Sequence, residues 1–473
     1  MSHRRTKIVA TIGPATRTTE RMVELIEAGV DVFRFNFAHA TRAMHAENVA
    51  MAREAAERTG KQVGILGDLP GPKLRIGEVA DGLIGLRTGS EVTLTTEPVV
   101  GSPERLSVSY EGLPAACSPG NLVYLADGRL RLRIDACGAD EVRCTVEVGG
   151  PIASHQGLNL PGAEVSLPAA GREDLEWVDF AVAQRIDLLA ISFVRRAEDV
   201  TAVERRVRTS GADIPVIAKI EKPQAIERAE EIIKAVTAGV MVARGDLGIE
   251  LELEKVPTAQ KRLLALAGHH SVPTITATQM LASMTASPRP TRAEVSDVAN
   301  AIYQGTDAVM LSEETAVGEY PVEAVRVMDR IARETETDLP YGDWVFNRAG
   351  DDPSDVASSV ARAAVGSTYT LGLAALVVPT RSGRTARLVS AHRPRVPVLA
   401  VSPRIETVRR LNLLFGVQCV LADDWDGITA LIAECAELAR ECGVAGSGDL
   451  IGITAGLPEQ ELGTNLFEIH RVP

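Results

Sequence analysis

The chain has 473 residues, a length that points to two or three domains rather than one. Its formal net charge of −13 argues against a nucleic-acid surface, and no apolar run reaches the roughly 18 residues of a membrane span. Aromatic residues make up only 4%, so the core is built from Ala, Val, Leu and Ile, which favours an α/β protein over an all-β one. The six cysteines form no CxxC pair and no zinc spacing, and they read as reduced packing residues of a cytoplasmic protein. The basic start, through Arg4, Arg5 and Lys7, runs directly into a strand without the apolar stretch of a signal peptide.

Short apolar runs then alternate with amphipathic helical stretches. Strands are predicted over 7–11, 30–36, 62–68, 186–192, 215–221, 239–243, 272–277 and 306–312, with helices such as 19–28, 43–58, 198–208 and 227–235 between them. Eight such units closing on themselves make a (β/α)8 barrel. The gap after the third strand is too long for one helix. It holds alternating runs at 91–96, 106–109, 121–125, 130–134 and 141–148, cut by Gly, Pro and Asp turns. This reads as an inserted small β-barrel lid over 70–156, leaving 1–69 and 157–338 for the catalytic barrel. The segment from Leu339 to Trp344 reads as a turn-rich linker. Beyond it, 339–473 forms a separate open α/β domain, with strands at 374–379, 397–402, 419–421 and 449–454 and helices at 354–370, 384–391, from 405, and at 428–439.

The chemistry gathers at the C-terminal ends of the barrel strands. The run 216–221 ends in Lys219 and Glu221, and the run 240–246 ends in Gly245 and Asp246. Two carboxylates and an ammonium suit a divalent cation and an anionic substrate, above all a phosphate. Other strand ends offer Arg34 and Asn36, Asp68, Ser192, Thr278 and Glu314. Such recurrence is more than plain solvated loops produce.

Several motifs together carry a family resemblance. They are Arg5-Thr6-Lys7-Ile8-Val9 through Thr11-Ile12-Gly13-Pro14-Ala15, Arg34-Phe35-Asn36-Phe37-Ala38-His39, Asn159-Leu160-Pro161-Gly162, Ala218-Lys219-Ile220-Glu221, the run from Met241 to Gly248, Ala277-Thr278-Gln279-Met280-Leu281 and the run from Pro290 to Asn300. In this order, over essentially the whole chain, they resemble pyruvate kinase. The resemblance implies transfer of the phosphoryl group of phosphoenolpyruvate to ADP, giving ATP and pyruvate, the last step of glycolysis. It implies Mg2+ (or Mn2+) held by Glu221 and Asp246, Lys219 against the phosphoryl group, and Arg34 and Arg75 as forked phosphate donors. Gly245 lets the substrate carboxylate approach the backbone, Thr278 organises protonation of the enolate, and Asn36, His39 and Arg75 belong to the nucleotide side. Arg292 and Glu294 are expected as structural partners at the barrel mouth, and Asp127 either as a lid residue that reaches the site on closure or as a plain turn aspartate. A homotetramer is also implied.

The chain departs from the family's K+ site. The matching positions are Asn36, Ala38, Asp68 and Leu69, and neither Ala38 nor Leu69 has a side-chain oxygen. Lys73 stands where K+-dependent members carry glutamate, so Lys73 is expected to act as an internal cation and K+ not to be required. His155 and Ala282 also differ from the usual pattern, which bears on positioning rather than on reaction class. In the C-terminal domain Thr380-Arg381-Ser382-Gly383-Arg384-Thr385 precedes a helix and resembles the family's effector phosphate loop. The tail from Thr454 to Asn465 lacks the Trp and Arg of fructose-1,6-bisphosphate sensors, which favours a monophosphate such as a sugar monophosphate or AMP. Two rivals are another Mg2+-enolate barrel, such as a lyase or aldolase, and a non-catalytic sensor of phosphorylated metabolites.

Overall fold

The computed structural model describes residues 4–126, 128–163, 166–350, 355–425, 427–456 and 463–473. Eight parallel strands close into a barrel: Lys7–Thr11, Val32–Asn36, Gly64–Asp68, Leu188–Ile191, Val216–Ile220, Gly239–Ala243, Thr274–Ala277 and Ala308–Leu311. Covered by helices outside and side chains inside, these strands are apolar on both faces, which is why they read as continuous runs. Val9, Val32, Leu66, Ile217, Met241 and Ile275 fill the interior. Leu413, from the C-terminal domain, joins that inner cluster and seals the barrel floor.

Several strands are shorter than their sequence patterns. The ladder over 215–221 is Val216–Ile220, so Glu221 stands just past the last paired residue, at the open mouth. The helix expected over 227–235 is two helices, Pro223–Glu227 and Ala229–Ala235, because Pro223 starts a turn early and Arg228 leaves helical geometry.

One six-stranded sheet joins five strands of the insert, Leu122–Leu125, Leu130–Cys137, Glu141–Val148, Glu91–Thr95 and Arg105–Ser107, with Leu158–Asn159, which lies just past the expected boundary at 156. A ribbon of Leu83–Leu86 and Gly150–Ala153, concealed in the sequence by Gly85 and Pro151, packs on the same apolar core.

The segment read as a turn-rich linker is instead helical over Tyr341–Asn347. Pro340 precedes its first turn, and Tyr341 and Val345 bury one face. Beyond it lies a five-stranded sheet in the order Val417–Leu421, Val398–Ser402, Ala375–Pro379, Leu450–Ala455 and Leu466–Arg471. The last strand is antiparallel and polar on alternate residues, and the sequence reading lacked it. This domain is tied to the barrel floor by buried polar contacts: Lys7 Nζ donates to the Val417 carbonyl at 2.7 Å, and Arg393 pairs with Asp307 at 2.7 Å. The six cysteines are unpaired, and among the described residues no helix is long and apolar enough to cross a membrane.

Candidate active site

At the barrel mouth five strand ends converge on one charge network. Arg34 Nε donates to Asp68 Oδ2 at 2.7 Å, and Nη1 donates to Thr11 Oγ1 at 3.0 Å. Lys219 Nζ lies 3.4 Å from Asp68 Oδ1 and 2.8 Å from Glu221 Oε1, and it donates to Ser192 Oγ at 2.8 Å. Ser192 in turn donates to the Leu69 carbonyl at 2.7 Å, and the Phe193 amide donates to Glu221 Oε2 at 2.8 Å. All four charged side chains are buried.

Burial disfavours the Lys219 ammonium, but Asp68, Glu221 and Asp246 outweigh it and hold the group charged, above its ordinary range. Burial likewise works against the Asp68 carboxylate, but Lys219 and Arg34 outweigh it and bring that carboxyl below the usual range. Glu221 differs: burial first, and then the Asp246 charge, push its carboxyl up against the pull of Lys219.

A second cluster joins the next two strand ends. The Gly245 amide donates to Thr278 Oγ1 at 2.7 Å, and that hydroxyl donates to the Ala277 carbonyl at 2.6 Å. Thr278 and Gln279 take positive φ values of 70° and 53°, an unusual conformation for residues with side chains. Arg244 holds them there. Its Nη2 donates to the Thr278 carbonyl at 2.7 Å, while Nη1 is anchored on Asp297 at 2.6 Å. Glu314 braces the same loop, accepting from the Leu281 amide at 3.0 Å. Asp246 lies in the first turn of the helix Arg244–Glu250, where the backbone dipole favours a negative charge.

Among the described residues no three His, Cys, Asp or Glu side chains converge as a complete metal site. Glu221 and Asp246 are a pair. Glu221 Oε1 is buried and has no hydrogen bond of good geometry besides its ionic contact with Lys219. A hard divalent cation carried by one or two carboxylates plus substrate oxygens fits such a donor set.

The hinge residues sit on the rim. Lys73 is exposed, and partial burial first, then the charges of Lys73, Arg75 and Arg34, push the His39 imidazole below its ordinary range. Arg75 turns toward the lid, donating to the His155 carbonyl at 2.9 Å. Asn36 Oδ1 accepts from the Ala38 amide at 3.2 Å. Glu294 is the capping-box residue of the helix Arg292–Tyr303 and also accepts from Ser283; it makes no ion pair with Arg292. Asp127 and residues 457–462 of the tail lie outside the described residues.

The loop Thr380 to Thr385 lies in the C-terminal domain, at the start of the helix Arg384–Ala391. Gly383 takes φ +85° and donates to Thr380 Oγ1 at 2.9 Å. Arg381 pairs with Asp424 at 2.8 Å and Arg384 with Asp355 at 2.6 Å, while Thr385 and Thr464 meet hydroxyl to hydroxyl.

Arg244, Asp297 and the triad Asn159–Glu250–Lys222 escaped the sequence reading. Glu250 is buried and meets Lys222 at 2.7 Å and Asn159 at 3.3 Å. Arg244, Asp297 and Asn159 stood in quoted motifs without a role of their own, and only the fold brings Asp297 to Arg244.

A model of the pyruvate kinase barrel domain matches residues 3–325, and one of the pyruvate kinase alpha/beta domain matches 358–470. The chain is 42% identical over 471 residues to pyruvate kinase of Geobacillus stearothermophilus, covering 99% of this chain and 80% of that one. It is 41% identical over 472 residues to that of Staphylococcus aureus, covering 99% of this chain and 80% of that one. A crystal structure of a pyruvate kinase from Cryptosporidium parvum superposes with a TM-score of 0.95 at 35% identity, covering 99% of this chain and 96% of the other. The chain therefore belongs to the pyruvate kinase family, a family of phosphotransferases.

Proposed function

We propose that the protein transfers the phosphoryl group of phosphoenolpyruvate to ADP, with the barrel of 1–69 and 157–338 as catalytic unit and 70–156 as lid. One observation carries this reading: Lys219 and Glu221 lie buried 2.8 Å apart, beside Asp68 and Arg34, at the mouth of the barrel. A permanently charged, water-shielded ammonium between carboxylates is suited to an anion whose charge is redistributed in the transition state.

Lys219 stabilises charge on the group in flight, and Arg34, oriented by Asp68 and Thr11, presents a fork to the phosphoryl oxygens. The backbone N–H groups over 243–246 receive the substrate carboxylate, and Gly245 permits the close approach because nothing projects from its Cα. Thr278 fixes the position from which the enolate carbon is protonated. Arg75 and His39, with Asn36, face the nucleotide under the lid, whose closure excludes water. A divalent cation, Mg2+ or Mn2+, held by Glu221 and Asp246 supplies neutralisation of phosphoryl and enolate oxygens when bound.

K+ is not required in this reading. Asp68 already faces two cations, Arg34 and Lys219, and Lys73 adds a third charge near His39. The segment 339–473 acts as a regulatory domain whose loop Thr380, Arg381, Ser382, Gly383, Arg384, Thr385 takes a phosphorylated effector, in a cytoplasmic homotetramer. The test is ATP formation from phosphoenolpyruvate and ADP with Mg2+, in matched buffers with K+ and without K+ or NH4+. Equal rates support the kinase and the internal cation together; activity only with K+ keeps the kinase and removes the internal cation. Pyruvate without ATP, or no turnover at all, overturns the assignment.

A further inference from the structure

We propose that Glu250 is a positioning residue that couples the lid to the two carboxylates of the barrel mouth, Glu221 and Asp246. The inference rests on the kinase reading above for what those carboxylates do. Glu250 is the last residue of the helix Arg244–Glu250, four positions after Asp246, so the two side chains share one face of that helix. Its Oε1 accepts from Lys222 Nζ at 2.7 Å, and Lys222 directly follows Glu221. The ion pair therefore bridges the ends of two neighbouring parallel strands, Val216–Ile220 and Gly239–Ala243, after each of which one of the carboxylates stands.

Lys222 reaches Glu221 by a second route. Its ammonium lies over the Phe193 ring, 5.4 Å from the centroid, and the Phe193 amide donates to Glu221 Oε2 at 2.8 Å. Glu250 itself is buried, and its Oε2 has no hydrogen-bond partner among the described residues. A carboxylate held out of water in this way costs stability that an apolar pair of similar size would not. What the ions add is direction. The pair orients the turn that carries Asp246 against the residue beside Glu221, as outer partners do for side chains that hold a metal.

The lid joins at the same atom. Asn159 Nδ2 donates to Glu250 Oε1 at 3.3 Å. Asn159 lies in the strand Leu158–Asn159, which pairs with the lid strand Leu122–Leu125 and sets Asn159 opposite Tyr124. A second contact falls beside the first. The lid backbone at Gly128 comes against Ile249, the neighbour of Glu250, so that a β-carbon on Gly128 would stand 3.5 Å from Ile249 Cγ1. A shift of the lid is thus passed to the end of the helix and through it to Asp246, while Lys222 holds Glu221 in step.

The experiment measures Mn2+ binding to the full-length protein without nucleotide, by electron paramagnetic resonance of the free ion, counting only the site that Glu221→Gln removes. Glu250→Met and Lys222→Met should each weaken that binding about 10-fold. The double variant should lie within about twofold of the weaker single one, because the two side chains act as a unit. Charge acting through space predicts opposite signs, with Lys222→Met tightening Mn2+ and Glu250→Met loosening it. That result, unchanged binding in both, or a parent without such a site overturns the proposal. Should either variant fail to fold, as judged by circular dichroism, Glu250→Asp decides. It keeps the charge and withdraws the oxygen, so binding about fivefold weaker is expected, and unchanged binding overturns the proposal. Asn159→Ala reads the lid arm. It should leave Mn2+ binding within about twofold of the parent and abolish the slowing of hydrogen exchange that Mn2+ brings to 122–125 and 157–160. No slowing in the parent, or equal slowing in the variant, overturns the coupling. ATP formation by the parent is followed in parallel: its absence overturns the kinase reading and leaves the Mn2+ comparison to decide this one.

Discussion

Gly245 donates its amide to Thr278 Oγ1 across 2.7 Å, so the loop that carries Asp246 is pinned to the loop that carries the left-handed pair Thr278 and Gln279. The hydroxyl is used twice, since it also donates to the Ala277 carbonyl at 2.6 Å. Thr278→Ser keeps both bonds, and activity within about fivefold of the parent is expected. Thr278→Val removes both, and kcat should fall about 10- to 100-fold with a smaller change in KM for phosphoenolpyruvate. Steady-state ATP formation separates the two variants. Equal loss in both would show that the hydroxyl is not what matters.

Lys219 is the charge on which the network turns. Lys219→Met leaves Asp68 and Glu221 without their shared cation, and kcat should fall by about 10^2 or more, as when a fixed electrostatic stabiliser is removed. Because the folded-state pKa of Lys219 is raised, its charge and its contribution to stability are intact below the unfolded value and are lost only as pH rises through the folded one. No ionisation of Lys219 is therefore expected in a kcat profile between about pH 6 and 9. An alkaline limb in that window that disappears in Lys219→Met would contradict this.

Lys73→Glu tests the internal cation. Without K+ the variant should lose about 10-fold or more in kcat/KM, and added K+ should restore part of it by supplying the charge that Lys73 carried. A variant fully active without K+ sinks the idea.

Asp307 and Arg393 join the barrel to the C-terminal domain through a buried pair at 2.7 Å. Burial raises the Asp307 carboxyl, but Arg393 outweighs it and the folded value lies below the ordinary 3.8. The stabilisation is thus present above the unfolded pKa and disappears as pH falls through the folded one. Asp307→Asn should cost on the order of 3–5 kcal/mol at pH 7, because it strands the buried Arg393 charge. The gap between variant and parent should narrow as pH falls below about 4. Denaturant titrations at several pH values measure both, and a gap that widens in acid would refute the assignment.

Much of this protein could be read in advance, and what could not has identifiable causes. The barrel strands were legible because a strand buried on both faces is a short unbroken apolar run, as in Val-Met-Val-Ala before Arg244. The ribbon of Leu83–Leu86 with Gly150–Ala153 was not, since Gly85 and Pro151 imitate turns and its pairing spans a long sequence separation. The helix Tyr341–Asn347 was taken for a linker because Pro340 and Gly342 hide a two-turn element whose apolar face consists of Tyr341 and Val345.

By itself the sequence determined the residue types and their order: a lysine two positions before a glutamate at a strand end, a glycine and an aspartate after the next, and a threonine after the third. Local chemistry and the period of the apolar pattern are written in consecutive residues. Only the tertiary structure decided which charges meet. Arg34 reaches Asp68 across neighbouring strands, Arg244 finds Asp297 some fifty positions on, and Arg387 comes to lie under the barrel with no carboxylate beside it among the described residues. Such pairings depend on barrel closure and domain docking, which bring together side chains distant in the chain. The free energy that selects those partners comes from burial and Coulomb interaction in three dimensions rather than from their neighbours in sequence.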